Sequence, residues 1–214
     1  MTKASALFAA LAVAFAATGA QAATNLVTNG SFESTLQASG TWNIYRHIDG
    51  WTTGLKGVEV RDNVAGRAFD GSNFVELDTT ANSLIAQTIA TNYGEHYTLS
   101  FAYSARPGTA GMRSNTNDIL VKWGATPVTL LSATNSTSNN QWTTYSFDVV
   151  GSKGHSTTLS FWATGKSDSY GGSLDNVSLI SNVTAPVPEP ETYALMLAGL
   201  AAVTTIARRR SRQA

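Results

Sequence analysis

Between residues 40 and 181 apolar and polar side chains alternate in short runs of period two, and helical periodicity is almost absent. Tyr97, Leu99, Phe101 and Tyr103 alternate with Thr98, Ser100, Ala102 and Ser104. Ile119, Val121 and Trp123 alternate with Leu120 and Lys122, and Thr143, Tyr145, Phe147 and Val149 with Trp142, Thr144, Ser146 and Asp148. Leu159, Phe161 and Ala163 oppose Ser160, Trp162 and Thr164. The last run, Ser173–Ile180, sets Asp175, Val177 and Leu179 against Leu174, Asn176, Ser178 and Ile180. Turn signals at Asp70-Gly71, Asn92-Tyr93-Gly94, Arg106-Pro107-Gly108, Gly151-Ser152, Gly165 and Gly171-Gly172 separate the runs. Roughly seven to nine strands at this spacing predict an all-β, antiparallel β-sandwich. Thr109–Asn117 reads as a long Gly/Ser/Asn-rich loop, and Thr184–Pro190 as a Pro-bearing linker.

The two ends break the pattern. Met1-Thr-Lys3 is a short positive segment, Ala4–Ala17 is apolar, and Ala20-Gln21-Ala22 supplies the small-x-small pattern that signal peptidase accepts, with cleavage expected after Ala22. At the other end Tyr193–Ala207 carries no charge and is rich in the helix formers Ala and Leu. Fifteen helical residues rise roughly 22 Å, short of the ~30 Å hydrocarbon core. Such a segment spans if Arg208 snorkels and the bilayer thins. Arg208, Arg209, Arg210 and Arg212 form a basic stop that the positive-inside rule keeps cytoplasmic. The competing reading is an amphipathic helix packed on the domain. It suits the pattern less well, because Leu195, Leu197, Leu200, Val203 and Ile206 surround the helix.

Pro188, Glu189 and Pro190, the apolar helix and the Arg cluster, in that order, resemble the PEP-CTERM sorting signal of exosortase substrates in Gram-negative bacteria. The resemblance implies processing near the Pro-Glu-Pro motif by an exosortase-like membrane protease or transpeptidase, after transient retention in the inner membrane. Delivery to the cell surface or extracellular matrix (biofilm) would follow. The expected organisation is a signal peptide over 1–22, a β-sandwich over 23–185 and a sorting tail over 186–214, with motif 188–190, helix 193–207 and basic stop 208–212.

Composition refines the middle part. The 23–185 segment has nine Lys and Arg against twelve Asp and Glu, near −3, so the neutrality of the whole chain pairs a slightly acidic domain with a basic tail. No basic patch points to nucleic acid. Cysteine is absent, so no disulfide supports an exported fold.

Asn25-Leu-Val-Thr-Asn-Gly-Ser-Phe-Glu33 and Gly172-Ser-Leu-Asp-Asn-Val-Ser-Leu179 resemble the opening and closing strands of galactose-binding-like jelly-roll domains, which include carbohydrate-binding modules. Gly71-Ser-Asn-Phe-Val-Glu-Leu-Asp78 and Trp142-Thr-Thr-Tyr-Ser-Phe147 fall in order between them. The resemblance implies that Glu33 and Asp175 lie side by side and hold a structural Ca²⁺, an ion suited to oxygen ligands. The alternative is that both carboxylates accept backbone amides. Trp42, Tyr45, Arg46, His47 and Trp51, with Trp123, Trp162 and Tyr170, supply aromatic faces of the kind that stack on sugars. The alternative is core packing, which Trp51, following Asp49-Gly50, suits best. The glycan candidates are Trp42, Tyr45, Trp162 and Tyr170.

Catalytic signals are poor. His47, His96 and His155 are scattered, and neither a His-Glu-x-x-His nor a Gly-x-Ser-x-Gly pattern occurs. Gly165-Lys166-Ser167 mimics the end of a phosphate loop but lacks its first glycine and its helix. The expectation is an exported, non-catalytic matrix or adhesion protein with modest affinity for exopolysaccharide. The alternatives are a glycan-active enzyme using Glu76, Asp78 or Asp118, and a purely structural matrix protein.

Overall fold

A computed structural model describes residues 24–112, 115–183 and 190–210. Twelve strands and one helix follow in order: β1 (Trp42–Tyr45), β2 (His47–Ile48), β3 (Trp51–Thr53), β4 (Val58–Asp62), β5 (Asn73–Glu76), β6 (Leu84–Ala90), β7 (His96–Ser104), β8 (Ile119–Trp123), β9 (Thr126–Leu131), β10 (Thr143–Val150), β11 (Ser156–Ala163), β12 (Ser173–Ser181) and α1 (Pro190–Arg210). The strands form two six-stranded sheets, β1-β4-β5-β12-β7-β10 (sheet A) and β2-β3-β6-β11-β8-β9 (sheet B). Every pairing is antiparallel. The result is a jelly-roll sandwich, as the alternating pattern and the resemblance both imply.

The core fills the space between the sheets, and its apolar side chains come from the inward phase of each strand. Phe101 of β7 meets Phe161 of β11 edge-on, ring centroids 5.2 Å apart, and Trp51 lies against both Phe161 and Phe32. Trp51 is buried, as expected, and its indole N–H donates to Asn29 O at 3.0 Å, so the ring enters the core without orphaning its polar atom.

Three details depart from expectation. More strands form than foreseen, because β1, β2 and β3 are too short to show a period. The opening segment makes a single bridge, Asn25↔Ile180, and Glu33 sits in a turn, since Asn29 and Phe32 take positive φ and cannot continue a strand. In β12 the register shifts between Asp175 and Ser178, with Asn176 at φ 48°. That bulge lets Leu174, Val177 and Leu179 all enter the core, and it turns Asp175 to the opposite face.

The helix starts at Pro190, three residues before the expected Tyr193. A proline costs nothing at that position, because the first helical N–H has no intrahelical partner in any case. Leu195, Leu197, Leu200, Val203 and Ile206 are all exposed. No helix among the described residues is long and apolar enough to cross a membrane. Ala20, Ala22, Pro188, Glu189 and Arg212 lie outside the described residues.

Candidate functional site

The outer face of sheet A buries charged side chains, Glu59, Arg61 and Glu76 among them. Val58 and Val60 of β4 point into the core, so Glu59 and Arg61 point outward. Strand register then aligns Ile44, Glu59, Glu76, Ser173 and Ser104 in one row, and Trp42, Arg61 and Phe74 in the next. Outward residues of a sandwich ordinarily meet water. Here the outward Glu59 and Arg61 are buried too, because connecting segments fold over the face. Asp175 Oδ2 accepts the N–H groups of Phe69 and Asp70 at 2.8 and 3.0 Å, holding the β4–β5 loop down. Asn140 Nδ2 and Trp142 Nε1 both donate to Arg67 O of that loop. Gly171 N–H, from the β11–β12 loop, donates to Glu76 Oε1 at 3.0 Å.

Beneath these loops lies a chain of charges. Arg61 Nη2 contacts Glu59 Oε2 and lies 3.2 Å from Glu76 Oε2, while Arg106 Nη1 donates to Glu76 Oε1 at 2.9 Å and to Ser169 O at 2.9 Å. Each guanidinium also faces an aromatic ring. Arg61 Cζ is 6.0 Å from the Trp42 ring centroid, and Arg106 Cζ is 4.3 Å from that of Tyr170. Glu76 is wholly buried, whereas Trp42 and Tyr170 are 50% and 37% exposed. The order is therefore aromatic, cation, carboxylate, cation, aromatic, with the polar centre sealed and the two rings at the surface.

Burial pushes the Glu76 carboxyl up to about 7 against the pull of Arg61 and Arg106, and Glu59 adds repulsion. Burial likewise lifts Asp175 to about 7, against the amides of Asp70, Asn176 and Phe69. The folded state therefore holds these protons up to near pH 7, whereas the unfolded chain releases them near pH 4. Stability falls as pH rises between those limits. The domain is expected to melt at a higher temperature at pH 5 than at pH 8, with Asp175→Asn flattening the profile. A Tm that climbs from pH 5 to pH 8 would contradict this.

The structure separates the sequence candidates. Trp42 and Tyr170 flank the Glu76 network. Tyr45 packs against the core, with its hydroxyl donating to Gln37 Oε1 at 2.8 Å. Trp162 is on the outer face of sheet B, 40% exposed, with Lys122 Nζ 5.7 Å from its ring centroid. Glu33 and Asp175 grip one segment: Glu33 accepts the N–H groups of Ser72 and Asn73 and the Ser72 hydroxyl, and Asp175 those of Phe69, Asp70 and Asn176. Each carboxylate thus accepts three donors, the arrangement of the backbone-amide alternative, which leaves about one lone-pair direction on each for a cation. No group of three or more His, Asp or Glu suited to a metal occurs among the described residues. Glu76 and Asp78 are both fully buried and bonded to loop amides, and Thr164 N–H donates to the Asp118 carbonyl. Sequence reading missed Glu59, Arg61 and Arg106, although Val58-Glu-Val-Arg61 alternates visibly.

A family model described as "Protein of unknown function (DUF642)" matches residues 25–180. The chain belongs to the DUF642 family. Beyond the DUF642 domain, the PEP-CTERM protein-sorting motif matches residues 186–211, which marks an exported protein with a C-terminal, membrane-associated sorting signal. No curated protein matches the chain. Among solved structures, the Stig cyclase Fisc from Fischerella sp. TAU, in complex with (3Z)-3-(1-methyl-2-pyrrolidinylidene)-3H-indole, superposes with a TM-score of 0.54 at 15% identity, covering 76% of this chain and 100% of that one. TmCBM61 in complex with beta-1,4-galactotriose gives 0.46 at 14% identity over 74% and 99%. A family 16 carbohydrate-binding module gives 0.46 at 17% identity over 73% and 99%. At such identities likeness speaks to the fold, and the function of this DUF642 domain has to be argued from its own site.

Proposed function

We propose that this is an exported, non-catalytic protein whose DUF642 domain binds polysaccharide on the outer face of sheet A. In this reading signal peptidase removes residues 1–22. The tail holds the chain in the inner membrane, and an exosortase-like enzyme then processes it near Pro188–Pro190 for delivery to a Gram-negative surface or matrix. One observation carries the binding reading: Trp42 and Tyr170, half-exposed, each backed by a guanidinium, stand at the two ends of one buried ion network. A ring whose one face lies toward a cation keeps the other for the apolar C–H face of a sugar, and the network beneath holds it in place.

Native electrophoresis in gels containing polysaccharide tests this. Retardation of the wild type is expected to weaken in Trp42→Ala or Tyr170→Ala and to vanish in the double variant, while Trp162→Ala migrates like wild type. Loss of retardation in Trp162→Ala alone would move the site to sheet B.

The enzyme reading draws on one observation, a carboxyl near pKa 7 on Glu76 directly across from Glu59. Against it, Glu76 is sealed from solvent. Release of reducing ends by the wild type, abolished in Glu76→Gln, would establish it.

A further inference from the structure

Beyond β5 the chain turns through Asp78 to Asn82, which pair as an isolated antiparallel bridge. The β11–β12 loop closes over this turn. Asp168 N–H donates to Asp78 Oδ2 at 2.9 Å, Asn82 N–H to Ser167 Oγ at 3.1 Å, and Asn82 Nδ2 to Gly165 O at 2.7 Å. Asp168 Oδ2 accepts from Thr116 Oγ1 at 3.2 Å and lies 3.4 Å from Lys166 Nζ.

What these bonds leave over is oxygen. Asp78 Oδ1, Asn82 Oδ1 and Asp168 Oδ1 are all buried and without a hydrogen-bond partner among the described residues. Asp78 is 0% exposed, and its carboxylate is aimed at Asp168 by the amide it accepts. Buried polar atoms are nearly always satisfied, so three orphaned acceptors on mutually tied residues mark a missing partner. Two like charges, Asp78 and Asp168, thus stand side by side largely out of water, the Asp168 side chain 14% exposed. The Lys166 side chain, half-exposed, offsets this only at the other oxygen of Asp168. A bound water can donate to at most two of the three orphans, whereas a hard cation accepts several oxygen ligands at once and offsets the like charges of Asp78 and Asp168. The chain has no Cys, and the donors here are two carboxylates and an amide carbonyl, a set suited to Ca²⁺ rather than Zn²⁺.

We propose that Asp78, Asn82 and Asp168 bind a divalent cation of the calcium type, fastening the β11–β12 loop to the end of β5. The same loop carries Tyr170 and Gly171. If the binding face is as proposed above, the ion also sets one of its two aromatic rings.

The test is calcium titration of the chelated full chain by calorimetry, with melting followed in parallel. One site is expected, and Tm is expected to rise by about 5–10 °C when calcium exceeds Kd a hundredfold. Asp168→Asn should bind calcium at least tenfold more weakly and lose most of that rise. Asn82→Asp, which adds charge without bulk, should bind more tightly while melting lower in chelator. Glu33→Gln should bind like wild type. Absence of both heat and Tm shift would overturn the proposal in favour of a water-filled clasp. Full affinity in Asp168→Asn, or loss of binding in Glu33→Gln, would overturn it equally, the latter by returning the ion to the Glu33–Asp175 pair. None of these readouts depends on polysaccharide binding.

Discussion

Replacing Arg61 by alanine is expected to lower Tm by about 6–12 °C at neutral pH. Arg61 is 2% exposed, and its guanidinium stands between Glu59, 5% exposed, and Glu76, 0% exposed. Those carboxylates are cross-strand neighbours in register, so without the cation two like charges face each other away from water. Breaking a buried pair by removing one partner costs about 3–5 kcal/mol. Glu76 escapes part of this by holding its proton up to about pH 7, so the lower end, about 3 kcal/mol, is expected. For a domain of this size each kcal/mol moves Tm by about 2–4 °C. Adding Glu59→Gln to Arg61→Ala should recover part of the loss, because the repulsion disappears with the second charge. Thermal melts of the three proteins settle it. An Arg61→Ala variant that melts with the wild type would show that the network does not hold the face together.

Changing Glu189 to alanine is expected to make uncleaved precursor, retained in the inner-membrane fraction, the predominant form. The sorting motif covers residues 186–211 and so contains Pro188, Glu189 and Pro190, the helix, and Arg208, Arg209 and Arg210. The helix ends in Arg208, Arg209 and Arg210, which favours retention on the cytoplasmic side. In the proposed reading a short uncharged stretch suits temporary holding better than permanent anchoring, because spanning would require local thinning of the bilayer. Intact mass from membrane and surface fractions reads the outcome. A Glu189→Ala protein trimmed and exported like wild type would refute recognition of the motif.

The sandwich was legible where strands are long and one face meets water. The alternation of β7, β8, β10 and β11 predicts their inward residues correctly, and Leu99, Phe101, Val121, Leu159 and Phe161 are all in the core. The pattern misleads where backbone geometry breaks the period. Asn176 inserts a residue that only the fold reveals, so Asp175 was placed on the wrong phase of β12. The sequence pattern around Glu33 suggests a strand, which the positive φ of Asn29 and Phe32 dissolves into a turn. The site was half legible. Trp42 and Tyr170 stand out as aromatics in polar surroundings. Their connection through Arg61, Glu76 and Arg106 joins residues 42 to 170, and no local pattern encodes that pairing. The burial of Glu59 and Arg61 arises from loops that fold over them, which strand periodicity does not report.

Polysaccharide binding on the outer face of sheet A, as proposed, would show residue by residue. Amide chemical-shift mapping of the processed protein with its retarding polysaccharide, cut to oligosaccharides, tests that binding most directly. The shifts are expected to centre on Trp42, Arg61, Arg106 and Tyr170, with the indole N–H of Trp42 among the largest, while Trp162 stays still. Shifts centred on Trp162 and Lys122 of sheet B, or none at saturating ligand, would contradict it.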